Sequence, residues 1–223
     1  MTLRSSALAL SFSVAEYCAP VWIRSSHTNL VDVQVNSSMR IITGAIKSTP
    51  VPWLPVLSNI APPSIRREEQ TQNLLKKVMQ KPSIPLASDL KNPPRKRLKS
   101  CHPIWECPLD ESFSVDSRWQ EQWDSCQVPN KDIVRDPTKP LPGMSLNRKC
   151  WARLNRFRTG HGICGESQHR WGLRTNPLCS CGQIQSMSHI IDNCPNTKFK
   201  GGITALSSVS DEAVSWLDKL CIR

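Results

Sequence analysis

Cys179 and Cys181 stand one residue apart in L-C-S-C-G; His189 follows after seven intervening residues and Cys194 after four more. Two thiolates on a tight turn, then an imidazole and a third thiolate about a helical turn apart, are four soft donors. That set suits tetrahedral zinc. Gly182 gives the backbone conformational freedom directly after the first pair. Four protein ligands leave no open position, so the expectation is one structural Zn2+ ion rather than a catalytic one. The alternative is chance proximity of thiols in a chain with 10 cysteines, since C-x-C is a less common opening than C-x-x-C.

The elements that must position these ligands follow from the flanking pattern. Ser145 can cap a helix running through Arg158, with Trp151, Leu154 and Phe157 as its apolar stripe. Lys149, Arg153 and Arg156 fall at i, i+4 and i+7 and make one basic edge. Gly160 ends that helix, and the next stretch, R-T-G-H-G-I-C-G-E-S-Q-H-R-W-G-L-R, mixes glycines with arginines, histidines and a tryptophan. Arg158, Arg170 and Arg174 are candidate phosphate contacts there, and Trp171 can either pack or stack on a base. His161 and Cys164 resemble a nucleophile pair, but no third group orients the histidine. A last helix, capped by Ser210, turns Val214, Leu217 and Leu220 inward.

Upstream, residues 4–18 read as a helix burying Leu8, Ala15 and Cys18, stopped by Pro20. A second helix starts at Ser26, lines Val31, Val35, Met39 and Ile42 on one face, and exits at Gly44. A proline-rich loop through Pro50, Pro52 and Pro55 follows. Pro62 and Pro63 then open a third helix, with Glu68 and Glu69 early and Lys76 and Lys77 late, as the helix dipole prefers. In the middle of the chain, Trp119 and Trp123 predict one face of a short helix that packs. Cys101, His102 and Cys107 are too few, and too interrupted by proline, for a second metal site.

Of 18 prolines, 10 lie between Pro82 and Pro142, which reads as a linker. The net charge of +11 is uneven: residues 61–100 carry +7, residues 101–136 carry −5 and residues 137–178 carry +7. Separated basic blocks point to a polyanion, with nucleic acid the leading partner and solvated surface charge the alternative. The run Arg95, Lys96, Arg97 and Lys99 is readable as a phosphate-binding arm, a nuclear import signal or a tether. Arg4 and the short apolar run after it only imitate a signal peptide, and no stretch is long enough to span a bilayer. Cysteines clustered at metal spacing favour a reducing compartment over a secreted disulfide scaffold.

These residues together resemble a known family. L-P-G with W-A-R-L-N-R-F-R-T-G-H-G-I-C, then H-R-W-G-L-R-T-N-P-L-C-S-C-G and H-I-I-D-N-C-P, resemble the C-terminal region of jockey-type non-LTR retrotransposon reverse transcriptases. A-L-A-L-S-F-S-V-A-E-Y-C-A-P-V-W, R-I-I-T-G and L-S-N-I-A-P-P-S-I-R-R look like the thumb region that follows the polymerase palm. The resemblance implies a mainly α chain in three parts: a thumb-like helical segment over 1–81, a Pro-rich, charged, largely irregular linker over 82–140, and a basic helix with a CCHC zinc-knuckle-like domain over 141–223. Cys179, Cys181, His189 and Cys194 match the family's C-x-C…H…C signature. The family is an RNA-directed DNA polymerase, and its tail is implied to hold RNA or DNA rather than to perform chemistry.

Reverse transcription needs paired palm aspartates that hold two metal ions, and this sequence has no Asp-Asp pair. The expectation is therefore a tail of the polyprotein, beginning at an internal methionine, inactive alone, without a small-molecule substrate or membrane partner, and dependent on a palm it lacks. Its expected location is intracellular, in the nucleus or a cytoplasmic ribonucleoprotein. The competing reading is a host protein–protein interaction module that uses the knuckle and Trp-rich surfaces. Salt dependence of RNA binding separates the two.

Overall fold

The computed structural model describes residues 3–95 and 102–220. Lys96, Arg97, Lys99 and Cys101 lie outside that range. The described chain is mainly helical, and its only extended pairing is one antiparallel bridge between Leu178 and Ile184. In chain order, α1 (Leu3–Ala7), α2 (Ser13–Glu16), α3 (Ala19–Trp22) and α4 (Thr28–Thr43) come first. The middle of the chain holds α5 (Trp53–Ser58), α6 (Pro63–Gln80), α7 (Leu86–Lys91) and α8 (Val115–Ser125). The last four are α9 (Arg148–Thr159), α10 (Gly165–Arg170), α11 (Gly202–Ser207) and α12 (Asp211–Lys219). Two compact units result, residues 1–38 with 60–124 and residues 39–59 with 125–223. Residues 82–140, expected as one irregular linker, are instead shared between the units and carry α7 and α8.

In the first unit, adjacent arginines on α6 diverge toward two different carboxylates. Arg66 forks onto Glu16, with Nη2 donating to Oε2 at 2.8 Å, and Arg67 forks onto Asp32, with Nη2 donating to Oδ2 at 3.0 Å. Each guanidinium also lies over a ring, Arg66 over Phe12 at 5.5 Å and Arg67 over Trp22 at 5.4 Å. The hydrogen bond to Glu16 raises the Arg66 pKa despite burial. Bidentate forks of this kind are among the stronger charge-assisted contacts. Trp119 and Trp123 are buried on α8, as their four-residue spacing predicts.

Several apolar assignments change. Phe12 is the buried residue of the first helical stretch, whereas Cys18 is exposed and adopts a left-handed φ of 53°. The first helical stretch does end before Pro20, at Tyr17, and Pro20 itself sits in the first turn of α3, where proline's missing N–H is harmless. Pro52 and Pro55 likewise occupy the start of α5, all of which is buried, so the expected loop is a helix. Val35, Met39 and Ile42 are buried on α4, and its exposed stripe is Leu30, Val33 and Ile41 instead.

In the second unit, α9, α11 and α12 close around one apolar cluster that includes Cys150, Leu154, Phe157, Leu206 and Leu217. Asn147, not Ser145, caps α9 by accepting from the Cys150 N–H at 2.9 Å. Ser210 caps α12 as expected, accepting from Ala213 N–H at 3.3 Å. The end of α4 meets α9 at Gly44, which has φ +69° and faces Ala152 so closely that a Cβ would collide with it. Gly172 has a similar φ of +72° but open space around it. Gly172→Ala should therefore lose about 1 kcal/mol, the left-handed penalty alone. Gly44→Ala should lose about 2–4 kcal/mol, since overpacking adds to that penalty. Denaturant midpoints of the two variants check the difference; equal losses would contradict the close approach.

Candidate metal centre

The hairpin that carries the first ligand pair is closed by its backbone. Cys179 N–H donates to Gln183 O at 2.7 Å, Gly182 N–H to Cys179 O at 2.9 Å, and Gln185 N–H to Pro177 O at 2.9 Å. Gly182 sits at φ +88°, a conformation the turn requires. The second pair comes from a π turn, His189–Asn193, with Cys194 donating back to His189 O at 2.7 Å. Five residues advance an α-helix by about 1.4 turns, which would leave His189 and Cys194 on different faces. The wider π turn returns them to the same side, and such turns recur at functional sites.

The four donor atoms of Cys179, Cys181, His189 and Cys194 all lie within 4.8 Å of one another, a cluster that could hold a metal ion. The Cys179 and Cys194 sulfurs are 3.6 Å apart, and the Cys181 sulfur is 3.2 Å from His189 Nε2. Tetrahedral bonds of about 2.3 Å to sulfur and about 2.0 Å to nitrogen require separations of roughly 3.5–3.8 Å; the sulfur pair at 3.6 Å is within that span, and the other donors need to move by a few tenths of an ångström or more to reach it. Cys179, His189 and Cys194 are buried and Cys181 is half-buried.

Metal-free, the thiols are unequal. Burial works against a Cys179 thiolate, but the Cys181 backbone N–H and contacts with His189, Cys194 and Ser180 outweigh it and hold its pKa at about 6. For Cys181 the Gln183 backbone favours the thiolate, yet burial and the neighbouring sulfurs together push its pKa up. One thiolate is thus ready at neutral pH, and Cys181 must release a proton as metal enters.

A supporting shell that the spacing of cysteines did not reveal surrounds the ligands. Gln185 Oε1 accepts from Gly165 N–H at 2.8 Å and from Arg174 Nη1 at 3.2 Å, while its amide faces Cys179 Sγ at 3.8 Å. Arg174 Nη2 also donates to Leu178 O at 2.9 Å. Beyond the last ligand, Asn196 Nδ2 donates to Ser180 Oγ at 3.2 Å, and Trp216 Nε1 donates to Thr197 O at 2.8 Å. Only the polar character of Gln185 and Asn196 within the motif hinted at this.

The basic candidates are placed very differently from one another. Arg158 is 1% exposed and donates to Pro142 O and Ser207 O at 2.8 and 3.1 Å, so no phosphate reaches it; burial pulls its pKa down to about 10, leaving it charged at neutral pH. That corrects its expected role. Arg174 is half-buried and clamps the hairpin. Arg153 Nη1 donates to Leu217 O at 2.6 Å and Lys149 Nζ to Asp218 Oδ1 at 2.9 Å, both at the end of α12. Arg156 Nε donates to Gly44 O at 3.2 Å, at the end of α4. The basic edge of α9 therefore holds helix C-termini, where carbonyls lack helical partners and cations are favoured. Arg170 is exposed and pairs with Glu166 at 3.1 Å, and Arg95 is exposed. No helix is long and apolar enough to cross a membrane among the described residues.

Compared with known proteins, the chain finds no matching family model, no matching curated protein and no matching solved structure.

Metal titration should find one ion per chain. Cys194→Ser should abolish tight binding, while Cys164→Ser should retain it, because Cys164 faces Ser167 at 3.3 Å rather than the cluster. Cobalt absorption in the visible reports the three thiolates. Gln185→Ala should weaken affinity by about tenfold with the bands unchanged, the usual scale for a group that supports a ligand. Because the Cys181 pKa is raised, affinity should climb with pH through the neutral range, about tenfold per unit for each proton displaced. Below about pH 6 Cys179 also needs deprotonation, and the dependence should steepen. A flat profile would contradict the proton inventory.

Proposed function

We propose that this chain is the thumb-and-tail region of a jockey-type non-LTR retrotransposon reverse transcriptase. Its tail, stabilised by one structural zinc ion, holds element RNA or target DNA without performing chemistry. The observation that carries this reading is that the positions matching the family's C-x-C…H…C signature are the four whose donors converge. Three sulfurs and one imidazole in a closed set favour zinc over harder cations.

Two further features support the reading. Lys198 and Lys200 are exposed directly after Cys194, and Arg170 is exposed before the hairpin, so positive charge flanks the metal site. The first unit leaves Leu10, Val14, Tyr17, Val21 and Leu30 more than 60% exposed. An uncovered apolar face suits a helical segment that packs on another body, here the polymerase palm. A thiolate site of this kind belongs in a reducing compartment, consistent with the nucleus or a cytoplasmic ribonucleoprotein.

The zinc-loaded chain should bind single-stranded RNA with an affinity that falls steeply as salt rises. Replacing Lys198 and Lys200 by Ala should flatten that slope by roughly 0.7 for each phosphate left without a cation. Removing charge at Lys149, Arg153 and Arg156 should instead lower the thermal midpoint, since those donors hold helix ends. Salt-independent binding, or none, would sink the nucleic-acid reading and favour a protein partner.

A further inference from the structure

Beside the metal site, the second unit contains a cavity of about 310 Å³. Phe157, Met187, Ile191 and Ile203 are among its apolar lining residues. His161, Ser186, Ser188 and Asp192 add polar atoms to the lining, as does Trp171, which keeps 42% of its surface exposed. The volume is at the small end of ligand pockets, enough for one ring system and little more. Apolar side chains, hydrogen-bonding groups and an aromatic ring in one lining suit a flat heterocycle that is apolar on its faces and polar at its edges.

The cavity and the metal cluster share an element. Ser186, Met187 and Ser188 lead into ligand His189, and Ile191 and Asp192 belong to the π turn between His189 and Cys194. Metal binding therefore fixes one wall. Gly162 lies against the Met187 thioether, so a Cβ there would meet its sulfur and methyl unless Met187 shifted, which brings the His161 segment close to Met187. Burial, with Arg170 nearby, lowers the His161 pKa and leaves a neutral ring with one donor and one acceptor nitrogen. Asp192 adds a carboxylate acceptor suited to an exocyclic amino group.

We propose that this cavity takes one unstacked base of a single-stranded nucleic acid, with Trp171 stacked on its face and the polar lining groups reading its edge. The proposal rests on the nucleic-acid reading above and adds a base-recognition site to it. Sugar and phosphate stay outside, toward Arg170.

The test uses the full, zinc-loaded chain and two probes, a short single-stranded RNA and the same backbone made abasic. Trp171→Ala removes the stacking face, and Ser188→Trp plugs the cavity from an exposed position; zinc content and circular dichroism establish that each variant is intact. The base-bearing strand should bind the native chain more tightly than the abasic one, and each variant should lose about tenfold for that strand alone, within the range for one stacked base. Equal affinity for the two strands, or base-dependent binding that both variants leave intact, would overturn the cavity assignment while leaving nucleic-acid binding in place. Absence of binding to either strand at low salt would overturn the nucleic-acid reading and this assignment with it.

Discussion

The π turn between His189 and Cys194 is the constraint on which the second unit depends. Its two ends supply metal donors, and the residues between them, Ile190 and Ile191, are buried in the same cluster as Leu154, Phe157 and Leu217. Ligation and core packing are thus two faces of one five-residue segment. Thr197 Oγ1 donates to Ile190 O at 2.9 Å and Phe199 N–H to Ile191 O at 2.8 Å, so the chain after Cys194 is tied to the same turn. The Trp216 ring then meets both Phe157 and Phe199, at 5.3 and 5.5 Å between centroids, joining α9 and α12 to the tail of the metal loop. A zinc loop standing alone buries too little to order itself. The Cys/His cluster is instead built into a core, so its geometry and that of the second unit are joined.

Positive charge in this protein has two separate uses, and sequence position alone does not distinguish them. A basic edge at i, i+4 and i+7 on α9 has the form of a polyanion contact. In the fold, its donors reach the terminal carbonyls of α4 and α12, and Arg148 joins them by donating to Ile41 and Ile42 O. Asn155 Nδ2 completes the arrangement on Thr43 O at 2.9 Å. Burial and the neighbouring Arg148 and Arg153 lower the Arg156 pKa, the signature of cations crowded together for an internal purpose. Lys198, Lys200 and Arg170, near the Cys/His cluster, are exposed.

The convergence of the four Cys and His donors, the stripe of α9, the Ser210 cap and the Trp119–Trp123 face were legible because each rests on short-range periodicity or on donor chemistry. The failures share a cause as well. Pro55, read as part of a loop, lies in a first turn, where proline is compatible with a helix, and only tertiary burial of α5 decides that. Arg158 carries the most hydrophilic of side chains into the core because Pro142 O, Ser207 O and Asn155 need a donor there. Partners that distant in sequence leave no local pattern to read. A linker over 82–140 follows from composition, which says nothing of the tertiary packing that gives α7 and α8 their helical form.

The first unit shows the opposite balance between charge and apolar surface. Its helices are joined by two arginine–carboxylate forks, Arg66 with Glu16 and Arg67 with Asp32, while its apolar side chains are turned out along α2 and α4. A groove lined by Leu10, Val14, Trp22, Leu30, Val31 and Val35 carries no ionisable side chain. Covering a Leu or Val fully is worth on the order of 1.5–3 kcal/mol. Paired charges fix which helix lies beside which, because a fork has one geometry. They add little to the total, because desolvation offsets most of their attraction. Ion pairs therefore help set which helix lies beside which in this unit, while the groove leaves apolar surface exposed.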